Sequence, residues 1–352
     1  MLLLYIIVAI LMFGFLIFIH ELGHFLTARL FHVTIYEFAI GMGPKVISWK
    51  SKKHDTAYSL RALPIGGFVS MAGEDEESDD EGSLRNKKVW QRIIVTAAGS
   101  VFNIIFGLIV MLMIVSFSGA IGSTTVKSFP EGATSVQTET KEGLLPGDEI
   151  IAFNGKKVHV FYDLSYKISR YGVEPIDITV IRNGETVHLS DVVFPTVEDQ
   201  GILFAQRDFS VYAAKKTLGT VLKTTFYQSV YTVRMVYDSL YDLVTGKVGI
   251  QQMSGPVGIT TIITGAAEDA VKTKDASYLF MLFVVLAMNL GCMNLLPIPA
   301  LDGGRLVFLF YEGIMRKPVN PKIESYVHFA GMVLLLFFML MITFKDVFTL
   351  IF

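Results

Sequence analysis

Between residues 2 and 19 the chain carries no charged side chain, and the first group that titrates near neutrality is His20. A helix needs about 20 consecutive apolar residues to cross the hydrocarbon core of a bilayer, so this run is read as a membrane-spanning helix. No Lys or Arg precedes Arg29. A cleaved leader begins with a basic segment, so the helix is expected to be retained. Residues 93–120, 278–296 and 326–344 are three further runs long enough to span with some tilt. Hydrophobic residues make up 52% of the chain and charged residues 18%, against about a quarter charged in soluble domains. The net charge of −2 offers no electrostatic footprint for nucleic acid. The single cysteine, Cys292, excludes a disulfide within the chain and reads as a small buried residue.

Basic residues in short loops mark the cytoplasmic side. The 29–92 connection holds ten, among them Lys50, Lys52, Lys53, Lys87, Lys88 and Arg92, and the 297–325 connection holds Arg305, Arg316, Lys317 and Lys322. The expected arrangement has four spans, both termini outside, these two connections inside and residues 121–277 outside.

The first apolar run ends in His20-Glu21-Leu22-Gly23-His24. At 3.6 residues per turn the two histidines share a helix face one turn apart, as gripping one zinc ion requires, and Glu21 beside them can take a proton from water. Three ionisable groups next to a long apolar run are costly unless paired, and a metal is one way to offset that cost. A catalytic zinc site ordinarily has three protein ligands and one open position, so a third ligand is needed. The metzincin pattern is absent, because its remaining glycine and histidine positions are occupied by Thr27 and Leu30. His32 and His328 read as interfacial residues, and Glu268 falls on the outer side. Asp302 lies in Asn294-Leu-Leu-Pro297-Ile-Pro299-Ala-Leu-Asp302-Gly-Gly304. Its two prolines bar a regular helix, and broken backbone at membrane depth survives only where it lines a cavity or is buried in protein. The expected topology brings Asp302 out on the side of His20 and His24. It is therefore a candidate third ligand, with a helix-capping aspartate as the alternative.

At these residues the chain resembles the site-2 protease family of intramembrane zinc metalloproteases, in its bacterial RseP/RasP-like branch. The similar pieces cover most of the length: His20-Glu-x-x-His24, Gly41-Met-Gly43-Pro44, Ala62-Leu-Pro-Ile-Gly-Gly67, Ala98-Gly-Ser-Val-Phe-Asn103, Gly143-Leu-Leu-Pro-Gly-Asp148, Met253-Ser-Gly-Pro-Val-Gly258 and Asn289 through Gly304. The resemblance implies Zn2+ on His20, His24 and Asp302, with Glu21 as the catalytic base. It further implies substrate contact at Asn294, and it draws Gly41, Gly43, Pro297 and Pro299 into the same role. It implies a multi-pass protein of a bacterial cytoplasmic membrane. The implied partners are the lipid bilayer and single-span substrates already trimmed by another protease, such as anti-sigma factors or signal-peptide remnants. No oligomeric state follows.

The expected fold is a polytopic α-helical membrane protein with four transmembrane helices, a membrane-associated β region and one extracytoplasmic PDZ-like domain. The expected divisions are 1–31, first span with the His-Glu-x-x-His motif; 32–92, β-hairpin region with short strands at 45–49 and 57–60 and an acidic loop; and 93–120, second span. They continue as 121–205, PDZ-like, from the likeness of residues 142–156 to a PDZ core; 206–277, interfacial helical; 278–304, third span with the Pro-x-Pro motif; 305–325, loop; and 326–352, last span.

Overall fold

The structure is a computed structural model and describes residues 2–52, 55–74, 78–138, 142–199 and 201–351. Lys53 and part of the acidic loop lie outside the described residues. The chain divides into two compact units, Met1–Val110 with Met253–Phe352, and Met111–Gln252.

The first unit is built on long apolar helices: α1 (Leu2–Leu30), α2 (Val89–Phe117), α6 (Ser277–Asn294) and α8 (Pro321–Ile351). Among the described residues these four are the helices long and apolar enough to cross a membrane, the architecture of a multi-pass membrane protein. Their bounds differ from the sequence expectation in informative ways. α2 starts at Val89 and stops at Phe117, three residues short of the expected end, and the following Gly119 is a poor helix former. α8 starts at Pro321, the first-turn position where a missing N–H costs nothing. The expected 305–325 loop is mostly a helix, α7 (Asp302–Met315), which buries Leu306 and Leu309 at helical spacing. The expected 206–277 helical segment is interrupted, and its last helix, α5 (Pro256–Thr273), belongs to this unit. Gly255-Pro256 sets its start, and its Ile263 is buried against Ala9 and Met12 of α1.

Between α1 and α2 lie β1 (Ile35–Lys50) and β2 (Ala57–Met71), far longer than the strands expected. Residues 35–40 run antiparallel to 67–71, with Ile35 opposite Met71 and Ile40 opposite Gly67. Residues 45–50 run antiparallel to 57–61, and residues 37–40 also pair in step with 57–60. The hairpin is thus doubled into four runs ordered 45–50, 57–61, 37–40, 67–71. The bend in β1 needs glycine at Gly41: its φ is +87°, and a Cβ there would fall 2.4 Å from the Leu63 carbonyl oxygen. Glu37 ties the runs together, accepting from Ser59 Oγ and Arg61 and pairing with Lys45 at 3.0 Å. Burial opposes its ionisation, but these partners outweigh it and pull the carboxyl down to about 2. One face of the sheet packs Phe38, Val69 and Met71 on Phe25 and Ala28 of α1 and Val95 of α2. Met42, Val46, Ile47, Trp49 and Leu63 stay exposed.

The second unit holds a sheet in the order β10-β3-β4-β6-β7: Ser210–Ala214, Ile121–Ser128, Glu149–Phe153, Ile176–Arg182 and Glu185–Val192, with β5 (Lys156–Lys157) beside β4. β10 takes the sheet past residue 205, the limit expected for this domain. A separate pair, β8 (Thr196–Asp199) and β9 (Ile202–Ala205), follows β7. α3 (Phe161–Tyr171) buries Leu164 and Ile168 against a core of Val126, Ile150, Phe153, Ile178 and Val180. Buried Asp148 accepts from Arg182 Nε and Nη2, each at 2.8 Å. Stripping one partner from such a pair costs about 3–5 kcal/mol.

α4 (Leu218–Val244) is joined to α3 by a two-pronged Arg170–Asp242 ion pair at 2.6 and 3.0 Å, and its Tyr227 stacks on His159, just before α3. Its other side exposes Leu218, Leu222, Phe226, Val230, Tyr237 and Tyr241, an apolar stripe at helical spacing. Met235 turns toward α3, accepting from Tyr162 Oη.

Candidate active site

The site gathers where α1, α2 and α7 meet in the first unit. The α1 repeat stacks His20 and His24 one turn apart, with Nε2 atoms 3.2 Å from each other and both side chains buried. Asp302 arrives from far along the chain as the first residue of α7. Pro297 and Pro299 end regular helix after Asn294, and the backbone turns back so sharply that side chains are excluded. A Cβ on Gly303 would fall 2.0 Å from Leu296 O, and one on Gly304 2.5 Å from Ile298 O. The turn carries Asp302 Oδ2 to 3.2 Å from His20 Nε2 and 3.4 Å from His24 Nε2.

The donor set fits a zinc ion. Tetrahedral ligands at about 2.0–2.2 Å from a shared ion lie roughly 3.3–3.6 Å apart, close to the 3.2–3.4 Å sides of this triangle. His24 Nδ1 donates to the Val95 carbonyl oxygen at 2.8 Å. With its proton held on Nδ1 by that bond, a neutral His24 turns its Nε2 lone pair toward His20 and Asp302. Convergent lone pairs around a carboxylate oxygen are the chemistry of a cation site. Among the described residues this is the group of three or more His, Cys, Asp or Glu whose ligand atoms converge.

Glu21 lies beside the cluster on α1, against the 67–71 run of β2. A Cβ on Gly67 would come 3.4 Å from Glu21 Cγ, and the Val69 backbone hydrogen-bonds to the Glu21 carboxylate. That run pairs on one side, with residues 35–40, among the described residues. Its other edge is a template for an added strand.

The remaining expected residues are placed variously. Asn294 is the half-buried last residue of α6 and makes no side-chain hydrogen bond among the described residues. Pro297 is exposed at the start of the turn, whereas Pro299 packs against Gly331 of α8, where a Cβ would fall 2.3 Å from it. Gly41 and Gly43 serve the β1 bend, with Leu63 of β2 their near neighbour. His328 accepts from the Ala300 backbone N–H at 3.0 Å and so helps hold the Asp302 turn. His32 is exposed at the end of α1, and Glu268 pairs with Lys272 within α5.

Sequence reasoning gave no role to Gly99, though the close approach of α2 depends on it. A Cβ there would lie 2.3 Å from His24 Nε2 and 2.8 Å from His20 Nε2. The available signal was a glycine inside an apolar helix, which costs about 1 kcal/mol relative to alanine and so asks for a packing reason.

Comparison with known proteins bears on the same residues. The pattern described as Peptidase family M50 matches residues 8–338. A protein of Fusobacterium nucleatum carrying a zinc metalloprotease name is 36% identical, with 97% of each chain covered. The regulator of sigma-W protease RasP of Bacillus subtilis is 31% identical over 96% of this chain and 97% of its own. The zinc metalloprotease RasP of Geobacillus kaustophilus is also 31% identical, with 96% of each covered. With the family pattern running through nearly the whole chain, this protein belongs to peptidase family M50, the site-2 protease family, and is a zinc metalloprotease.

Proposed function

We propose that the chain hydrolyses peptide bonds within or at the edge of the membrane-spanning segments of single-span proteins. His20, His24 and Asp302 hold the zinc, and Glu21 is the general base. The observation that carries this reading is the triangle of ligand atoms, with 3.2–3.4 Å sides, seated on an apolar helix beside an unpaired strand edge. Zinc bound there supplies Lewis acidity toward a carbonyl oxygen and acidifies water. Glu21 takes a proton from the attacking water as its oxygen bonds to the scissile carbonyl carbon, then delivers that proton to the departing amine as the C–N bond breaks. A helical substrate hides its carbonyls in internal hydrogen bonds, so it must be extended to be cut. The free edge of residues 67–71, next to Glu21, would hold it by main-chain pairing. Asn294, Pro297 and Pro299 border the same turn and are proposed to contact the substrate there.

The charge pattern supports both termini and residues 121–277 outside, with the zinc site toward the cytoplasmic face of a bacterial membrane. The exposed apolar stripe of α4 and the exposed Met42, Val46, Ile47 and Trp49 of β1 support contact with the bilayer surface. The outer sheet with α3 is read as a PDZ-like domain that either binds an extended peptide or excludes bulky ectodomains. RasP of Bacillus subtilis is named for regulation of sigma-W, which favours an anti-sigma factor as substrate over a signal-peptide remnant. The test is a comparison of membrane-protein fragments in cells making the wild-type chain or Glu21→Gln. A truncated single-span protein should accumulate with the variant, and identical fragment patterns would contradict the assignment.

A further inference from the structure

All three ligand side chains are met by one helix. From α2, Val95 O accepts from His24 Nδ1, Ser100 Oγ lies 3.5 Å from Asp302 Oδ2, and Asn103 Nδ2 lies 3.4 Å from His20 Nδ1. Positions 95, 99, 100 and 103 fall on one α-helical face, and Gly99 lets that face close on the histidines. His24 thus has its outer nitrogen fixed by a backbone carbonyl. His20 has only the Asn103 amide.

Asn103 is fully buried, and its Oδ1 has no hydrogen-bond partner. The amide nitrogen facing His20 is a donor. If His20 Nε2 turns its lone pair to a metal, the ring proton must sit on Nδ1, which is then a donor as well. Two donors would oppose each other while an acceptor stayed orphaned. A half-turn of the amide about its terminal bond exchanges the two atoms in the same space and sets the acceptor against the donor. We propose that Asn103 is the positioning residue for His20: its Oδ1 accepts from Nδ1–H, which fixes the imidazole tautomer and aims Nε2 at the zinc. This rests on the reading of His20 as a ligand. Such outer partners fix ring orientation and raise ligand basicity, and their loss typically lowers metal affinity by about 10–100-fold.

The test is the zinc affinity of the full chain in detergent, measured by competition with a chromophoric chelator, with Zn2+ alone as the probe. Asn103→Leu keeps the volume and removes the acceptor, and its Kd should rise about 10–100-fold. Asn103→Asp keeps an acceptor in place and should bind within a few-fold of wild type. Wild-type affinity in Asn103→Leu would overturn the proposal, as would an equal loss in Leu and Asp variants, since that pattern marks packing alone. His20→Ala separates the two levels. If it loses zinc while Asn103→Leu does not, the ligand reading stands and the positioning role falls; if it keeps wild-type affinity, both fall. Should the Leu variant not be recovered folded, Asn103→Ala takes its place with the same expected loss, and full affinity there overturns the proposal.

Discussion

Replacing Asp302 with Ala is expected to empty the metal site and abolish cleavage. The two imidazoles would remain 3.2 Å apart without the Asp302 oxygen that completes their triangle. Losing a partner outside the ligand set already costs about 10–100-fold in affinity, so loss of a ligand should exceed about 100-fold. Zinc per chain after gel filtration is the readout. Asp302→Asn separates shape from charge: it preserves the hydrogen-bonding outline and should still bind poorly, because the negative oxygen is gone. The turn that carries Asp302 is held independently by Gly303, Gly304 and the His328 contact, so the variants should remain folded. Tightly held zinc at wild-type stoichiometry would remove Asp302 from the site.

Gly99→Ala should produce a comparable loss by a different route. The added methyl would stand 2.3 Å from His24 Nε2, closer than any real carbon contact, and 2.8 Å from two atoms of His20. α2 is packed closely on α6 as well as on α1, since a Cβ on Gly291 would fall 2.7 Å from Ser100 O and one on Gly23 2.5 Å from Ala98 O. The rings must therefore turn away from one another. Alanine is the better helix former by about 1 kcal/mol, so the helix itself is not weakened. The expected signature is lost zinc and lost cleavage in a protein whose helical content by circular dichroism matches wild type. Undiminished zinc affinity in this variant would contradict the packing described.

Much of this was readable from the chain, and the failures share a physical cause. Uncharged apolar runs announce spanning helices because charge in hydrocarbon is costly, and His20, Glu21 and His24 announce themselves by helical spacing. Asp302 was reachable because Pro297 and Pro299 break the helix on the side that the basic loops mark as internal. α7 was missed because the basic residues flanking it suggested a loop, while the spacing of Leu306 and Leu309 went unweighed. The hairpin was read short because Gly41, Gly43 and Pro44 look like terminators, whereas the structure uses the glycines as bends within one long strand. α5 was grouped with the residues before it because its polarity is mixed, and only its contact with α1 shows which unit it joins. Gly99 and Asn103 show a further limit. Their importance comes from what another helix places against them, which no local pattern encodes.

The central claim is that water attacks a peptide bond with Glu21 as its base, and one comparison tests it most directly. Wild type and Glu21→Gln, each assayed for zinc content, are reconstituted in vesicles with a single-span substrate, and fragment formation is timed. The account predicts equal zinc in the two proteins, wild-type cuts in or beside the apolar segment, and turnover about 10²–10⁴-fold slower in the variant. Equal zinc with comparable turnover would contradict it.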